Sequence, residues 1–247
     1  MKFLIFVFLI CFNFYSNIID RLSLYTEEYP PYNYYNEKTE AVEGIFIDVI
    51  EYILKDNNSK LSKNDIDLLT WARAYNLTLQ KNNSVIFATT RSEERENLFK
   101  WVGPVIDTKV VLTSKKDKKI KISDIKDIEN YKVGLIKDGI AIQTLIGMEL
   151  DNKNFDVGQT PIANAQKLRA NRIDIWAYEE RVARNILASI SEKVEDYESI
   201  YTIKTGYLYF AFNKNTSNEI IKKFQNSLDK LKNQDREKFQ EILKKYE

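Results

Sequence analysis

The sharpest chemical signal in the sequence is a threonine and an arginine five positions apart, Thr90 and Arg95. They stand in Ala88-Thr89-Thr90-Arg91-Ser92-Glu93-Glu94-Arg95, where an apolar run ends and Ser92 offers an N-cap with glutamates in the turn behind it. The pair therefore flanks a strand-to-helix turn, the place from which α/β folds present groups to a ligand. A guanidinium is a planar, two-pronged donor to a carboxylate, and a nearby hydroxyl adds a third donor. The same spacing also suits an exposed helix with ordinary Glu–Arg pairs.

Residue types that are missing narrow the chemistry further. The 247 residues contain no histidine, which removes Ser-His-Asp and Cys-His catalysis and imidazole metal sites. Cys11 is the single cysteine, so neither an internal disulfide nor a thiolate metal site can form. No metal, cofactor or catalytic residue is expected. An enzyme would have to use carboxylates, lysine or tyrosine, and Glu27 and Glu179 are the carboxylates placed to serve as general acid or base. The formal net charge is +1 with both signs interspersed, unlike the basic stripe of a nucleic-acid binder. A hydrophobic content of 44% with 30% charged residues describes a folded globular chain.

The elements that must position Thr90 and Arg95 alternate between strand and helix. Strands are expected at Leu22–Tyr25, Ile66–Leu69, Ser84–Thr89, Lys132–Ile136 and Ile173–Tyr178. Helices are expected around Ile47–Leu54, Trp71–Gln80, Ala141–Leu150, Ile162–Ala170 and Arg181–Ile190, with a C-terminal helix Ser217–Tyr246 broken near Asn233-Gln234-Asp235. Strands separated by helices of this length favour βαβ units and a largely parallel sheet. Two longer β-rich runs, Val105–Thr113 and Tyr201–Phe212, bracket the middle α/β series. The economical geometry is one lobe from both ends of the chain, a second from the middle, and these two runs crossing between them as a hinge over a cleft. Arg73, near the start of the helix after Trp71, falls close to that cleft and suits either a second acidic group or the surface. At the N-terminus, Met1-Lys2 precedes an unbroken apolar run, Phe3 to Phe12. At about half the roughly 20 residues of a membrane span, it suits the core of an export signal, with Cys11 as one of its apolar residues.

Four ordered features resemble family 3 of the extracellular solute-binding proteins, the polar amino-acid receptors of ABC importers. They are Tyr29-Pro30-Pro31-Tyr32 followed by Gly44 and Asp48; Trp71 just after a strand; Thr90 and Arg95 followed by Phe99-Lys100-Trp101; and Asn171-Arg172-Ile173-Asp174 leading to Glu179. The resemblance covers Leu22 to the C-terminus and implies a two-lobed, type II periplasmic-binding-protein-like fold. It assigns Thr90 and Arg95 to a ligand carboxylate, the Ala88 carbonyl to its ammonium, Tyr29 and Trp71 to the walls, and Glu179 to the ammonium. Glu179 stands where the family commonly has Asp. Lys137-Asp138-Gly139-Ile140 replaces the family's Gly-Thr or Gly-Ser step, leaving backbone N–H groups near Gly139 for an anion.

The expectation is thus an exported, monomeric receptor with a leader at 1–20, one lobe from 21–108 and 205–247, and a second from 109–204. It would close on a small polar solute, an amino acid or related carboxylate, and pass it to an ABC-type membrane permease. The alternatives are a periplasmic lyase or dehydratase on the same fold and a stand-alone sensory module.

Overall fold

The structure is a computed structural model that describes residues 17–246. The apolar run from Phe3 and Cys11 lie outside the described residues. Residues 17–20, the end of the expected leader, belong to the folded body: Ile19 is completely buried in the core, and the Asn17 amide donates to the Asn57 carbonyl at 2.8 Å.

Eight strands form one sheet. At one end, β1 (Ser23–Thr26) lies between β4 (Ile66–Leu68) and β5 (Ser84–Thr90) and is parallel to both. At the other, β7 (Val133–Ile136) lies between β8 (Phe155–Gly158) and β9 (Ile175–Glu179), again parallel to both. Every residue of β5, β7 and β9 is buried, as expected for parallel strands covered on both faces.

The two ends are joined by β6 (Phe99–Lys115) and β10 (Tyr197–Asn213), 17 residues each, paired antiparallel along their length. β5 attaches to β10 over Leu208–Phe212, and β9 attaches to β6 over Val110–Thr113. Between these attachments lie the pairs Thr108↔Gly206 and Lys109↔Thr205, on the two crossing strands.

Helices cover the sheet where apolar periodicity places them. α1 (Ile45–Asp56) buries Ile47, Ile50, Ile53 and Leu54 and packs against α7 (Asn218–Asn233), whose stripe is Ile220, Phe224, Leu228 and Leu231. α8 (Arg236–Lys245) follows after the expected break. α2 (Trp71–Gln80) flanks β5, and α4 (Ile140–Gly147), α5 (Pro161–Arg169) and α6 (Glu180–Ser189) surround β7 and β9. The mixed α/β fold thus follows the pattern read from the sequence.

Three details differ from that reading. Phe99-Lys100-Trp101 opens β6 directly after a single helical turn, α3 (Glu93–Glu96), so the crossing strand starts six residues before Val105. β8 has only four residues, one of them Asp156, and owes its place to pairing with β7. β2 (Tyr34–Asn36) and β3 (Ala41–Glu43) make a small separate hairpin. Its exit is fixed by Gly44 at φ +131°, where a Cβ would sit 2.4 Å from the Tyr32 carbonyl oxygen. That carbonyl in turn accepts from Phe46 N at 2.8 Å, tying the Tyr29–Tyr32 loop to α1.

Candidate functional site

Strand ends and helix starts from both ends of the sheet meet around a small chamber of about 30 Å³. Glu27 and Tyr29 follow β1, Ala88 and Thr90 end β5, Trp71 opens α2, and Arg95 lies on α3. Ile136, Gly139, Ile140 and Tyr178 close it from the β7 and β9 side. A wider cleft of about 1090 Å³ adjoins it and shares Glu27 and Trp71 as lining.

Arg95 is the centre of the arrangement and only 1% exposed. Its Nη1 donates to the Thr90 carbonyl at 3.3 Å, its Nη2 to the Asp138 carbonyl at 3.1 Å, and its Nε to Gln143 Oε1 at 2.8 Å. The guanidinium carbon stands 5.1 Å from the Trp71 ring centroid and 5.3 Å from that of Tyr75. Burial works against the guanidinium charge, while the Tyr75, Tyr29 and Glu27 side chains favour it. An arginine remains protonated under such conditions, so the chamber holds a fixed, desolvated cation.

The local backbone at Ala88 is unusual. Ala88 has φ +56°, and the β5–β10 register slips beside it, so that three residue steps on β5 oppose two on β10. A bulge of this kind costs strain in a non-glycine residue and turns the strand end, and it occurs often beside binding sites.

Glu27 is the acidic group beside the Arg95 cation. It is buried, its carboxyl has no hydrogen-bond partner among the described residues, and burial pushes its pKa up to about 8 against the pull of Arg95. Tyr29 meets Tyr178 edge-on at 5.6 Å, and behind the lining Tyr178 stacks on Trp176 at 5.1 Å.

Of the residues singled out in the sequence, Arg95, Thr90, Trp71, Tyr29, Ala88 and Gly139 all line this chamber. Arg73 is exposed in the wider cleft instead. Glu179 stands outside the chamber lining. It caps α6 by accepting from Val182 N at 2.8 Å, and it accepts from the Tyr32 hydroxyl at 3.0 Å. Burial raises its pKa, and those two donors oppose the rise. The reason is strand parity: successive residues of β9 face opposite sides, and Tyr178 is the one that reaches the chamber.

Sequence reasoning did not find Tyr178, Tyr75 or Gln143, and it weighed Glu27 only as a catalytic carboxylate. Glu27 was within reach, since it follows β1 as Arg95 follows β5, both at carboxyl ends of neighbouring parallel strands. Gln143 is one of two polar residues in the otherwise apolar run Ile140–Gly147, and nothing local says which way it faces.

Three solved structures with this fold are similar over nearly the whole chain. A histidine kinase sensor domain with similarity to periplasmic binding proteins has a TM-score of 0.80 at 16% identity, covering 92% of this chain and 96% of its own. An ABC uptake transporter substrate-binding protein from Streptococcus pneumoniae with bound histidine gives 0.78 at 16%, covering 93% and 94%. An ancestral arginine-binding protein bound to arginine gives 0.77 at 18%, covering 91% and 97%. No curated protein matches the chain in sequence at a significant level. The model of the bacterial extracellular solute-binding proteins, family 3, matches residues 23–247, and the chain belongs to that family.

Proposed function

We propose that the protein is an exported receptor that captures an amino acid by closing two lobes, 21–108 with 205–247 and 109–204, and hands it to an ABC-type permease. The observation that carries this reading is a chamber with a buried guanidinium, Arg95, and a buried carboxyl, Glu27. Such a chamber complements a molecule with a carboxylate and a cationic group. Arg95 and Thr90 take the carboxylate, and Glu27, with the Tyr29 and Tyr178 rings, takes the cation. Cleft closure desolvates both contacts and so strengthens them. Ligand favours the closed form by as much as its affinity for that form exceeds its affinity for the open one. The chamber alone is smaller than an amino acid, so entry requires parting of the lobes, and a long side chain would extend past Glu27 into the wider cleft.

The apolar N-terminal run serves as the export signal, and its removal leaves Ile19 in the core. A sensory role is the second reading, and the similarity to a kinase sensor domain supports it. Both readings share the same ligand chamber. No bond-making step is assigned to it.

A melting screen against amino acids, dicarboxylates and polyamines tests the proposal. A true ligand at a hundredfold excess over Kd adds about 2.7 kcal/mol of stability. Absence of any shift across the amino acids contradicts it.

A further inference from the structure

One carbonyl oxygen beside Arg95 receives more donors than it can properly serve. The Asp138 carbonyl accepts from the Trp71 indole Nε1 at 2.8 Å, from Arg95 Nη2 at 3.1 Å and from Gln143 Nε2 at 3.3 Å. A carbonyl oxygen has two lone pairs, whereas a carboxylate offers about four acceptor sites and binds charged donors roughly twice as strongly. The orientation of the Gln143 amide is set by chemistry. Its Oε1 accepts from Arg95 Nε, a group that can only donate, so its Nε2 must point at the shared oxygen.

The donors come from both sides of the cleft. Trp71 and Arg95 belong to the β5 end of the sheet, and Gln143 to α4 beside β7. Asp138 itself is held at φ +58°, a left-handed conformation that a non-glycine residue adopts at a cost. Three convergent donors, one of them a buried cation, thus hold an uncharged and strained acceptor.

We infer that the Asp138 carbonyl marks the place of the ligand's anionic oxygen, and that the Trp71 indole N–H and the Gln143 amide complete the anion subsite with Arg95. Capture is then an exchange: the carboxylate enters and the Asp138 carbonyl leaves. Trp71 acts as a donor and not only as a wall, and Gln143 both orients Arg95 and contacts the anion. This inference rests on the proposed capture of a carboxylate, and its test uses acetate, which carries that group alone.

The protein has three tryptophans, so 15N labelling of tryptophan gives three indole resonances. Two serve as internal controls: Trp101 Nε1 donates to the Glu96 carbonyl at 3.2 Å, and buried Trp176 Nε1 has no partner among the described residues. Titration with sodium acetate is expected to move the Trp71 proton saturably downfield, while acetamide and sodium chloride leave it in place. Gln143→Leu is expected to raise the acetate midpoint by about tenfold, the loss of one hydrogen bond to a charged group. A Trp71 resonance that stays still through the acetate titration, or an unchanged midpoint in folded Gln143→Leu, overturns the inference. Gln143→Met is the second variant should the leucine protein fail to fold. Calorimetry with L-arginine, L-histidine and L-glutamine separates the two claims. If none binds while acetate still shifts Trp71, the amino-acid reading falls and the anion subsite stands. If one binds and Trp71 stays still, the subsite falls and the reading stands.

Discussion

The Tyr32 hydroxyl donates to Glu179 Oε1 at 3.0 Å across the cleft, joining residues 147 positions apart. Arg181 Nη1 approaches the same hydroxyl at 3.3 Å and also donates to the Asp107 carbonyl at 3.2 Å. The bonds of Trp71 and Arg95 to Asp138, with that of Arg95 to Gln143, form a second set of links between the two ends of the sheet. The two sets involve separate residues, so each is open to its own mutational test.

Tyr32→Phe removes the two bonds of the hydroxyl while keeping the ring and the Arg181 bonds to Asp107. Its Glu179 partner is buried, so the expected cost is about 1–3 kcal/mol, and the cleft should open more easily. Melting temperature and small-angle scattering measure the two effects. A variant as compact and as stable as the parent contradicts a role for the Tyr32–Glu179 bond in holding the cleft closed.

Gly44→Ala tests the anchoring of that loop. A methyl group 2.4 Å from the Tyr32 carbonyl oxygen, at a φ of +131°, forces the Tyr29–Tyr32 loop to move. A loss on the order of 3 kcal/mol is expected in denaturant unfolding, together with weaker ligand binding. Unchanged unfolding contradicts this account of the loop.

The Glu27 carboxyl makes stability depend on pH. Its pKa in the fold is about 8 against an ordinary 4.5, so between these values the folded protein holds a proton that the unfolded chain has lost. Stability therefore falls as pH rises through that window, by a few kcal/mol at about 1.4 kcal/mol per unit. Arg95 and Glu28 face this carboxyl and modulate it in opposite directions. Melting curves of the parent and Glu27→Gln should diverge from about pH 5 to pH 8, with the glutamine protein favoured at the upper end. Parallel curves contradict the assignment.

Binding should release a proton for the same reason. A ligand cation beside Glu27 stabilises its ionised form, so affinity should rise with pH up to about 8. Calorimetry in buffers of different ionisation heat measures the released proton. Glu27→Gln should abolish the release and weaken a cationic ligand by at least about tenfold. Equal proton release in both proteins contradicts the role of Glu27.

Much of this was legible in the sequence because its causes are local. The 3.6-residue spacing of Ile47, Ile50, Ile53 and Leu54 specifies α1, and the two long β runs specify the crossing strands. Thr90 and Arg95 flank a turn whose position follows from the end of an apolar run, and Ser92 stands at the helix start without making the expected side-chain cap bond. What escaped depends on distant pairing. The four residues of β8 form a strand because β7 lies beside them, and Tyr178 rather than Glu179 faces the chamber because the register of β9 on β6 sets its parity. Gln143 gains meaning only when α4 meets α3 across the cleft.

The central claim is that buried Arg95 grips the carboxylate of an amino acid. Isothermal titration of L-arginine, L-histidine and L-glutamine into the parent and into Arg95→Leu tests it most directly. At least one amino acid should bind the parent saturably, and Arg95→Leu should weaken that binding by about a hundredfold or more, as the loss of paired charge-assisted bonds requires. Equal affinity in folded Arg95→Leu, or no binding of any amino acid to the parent, would contradict the account.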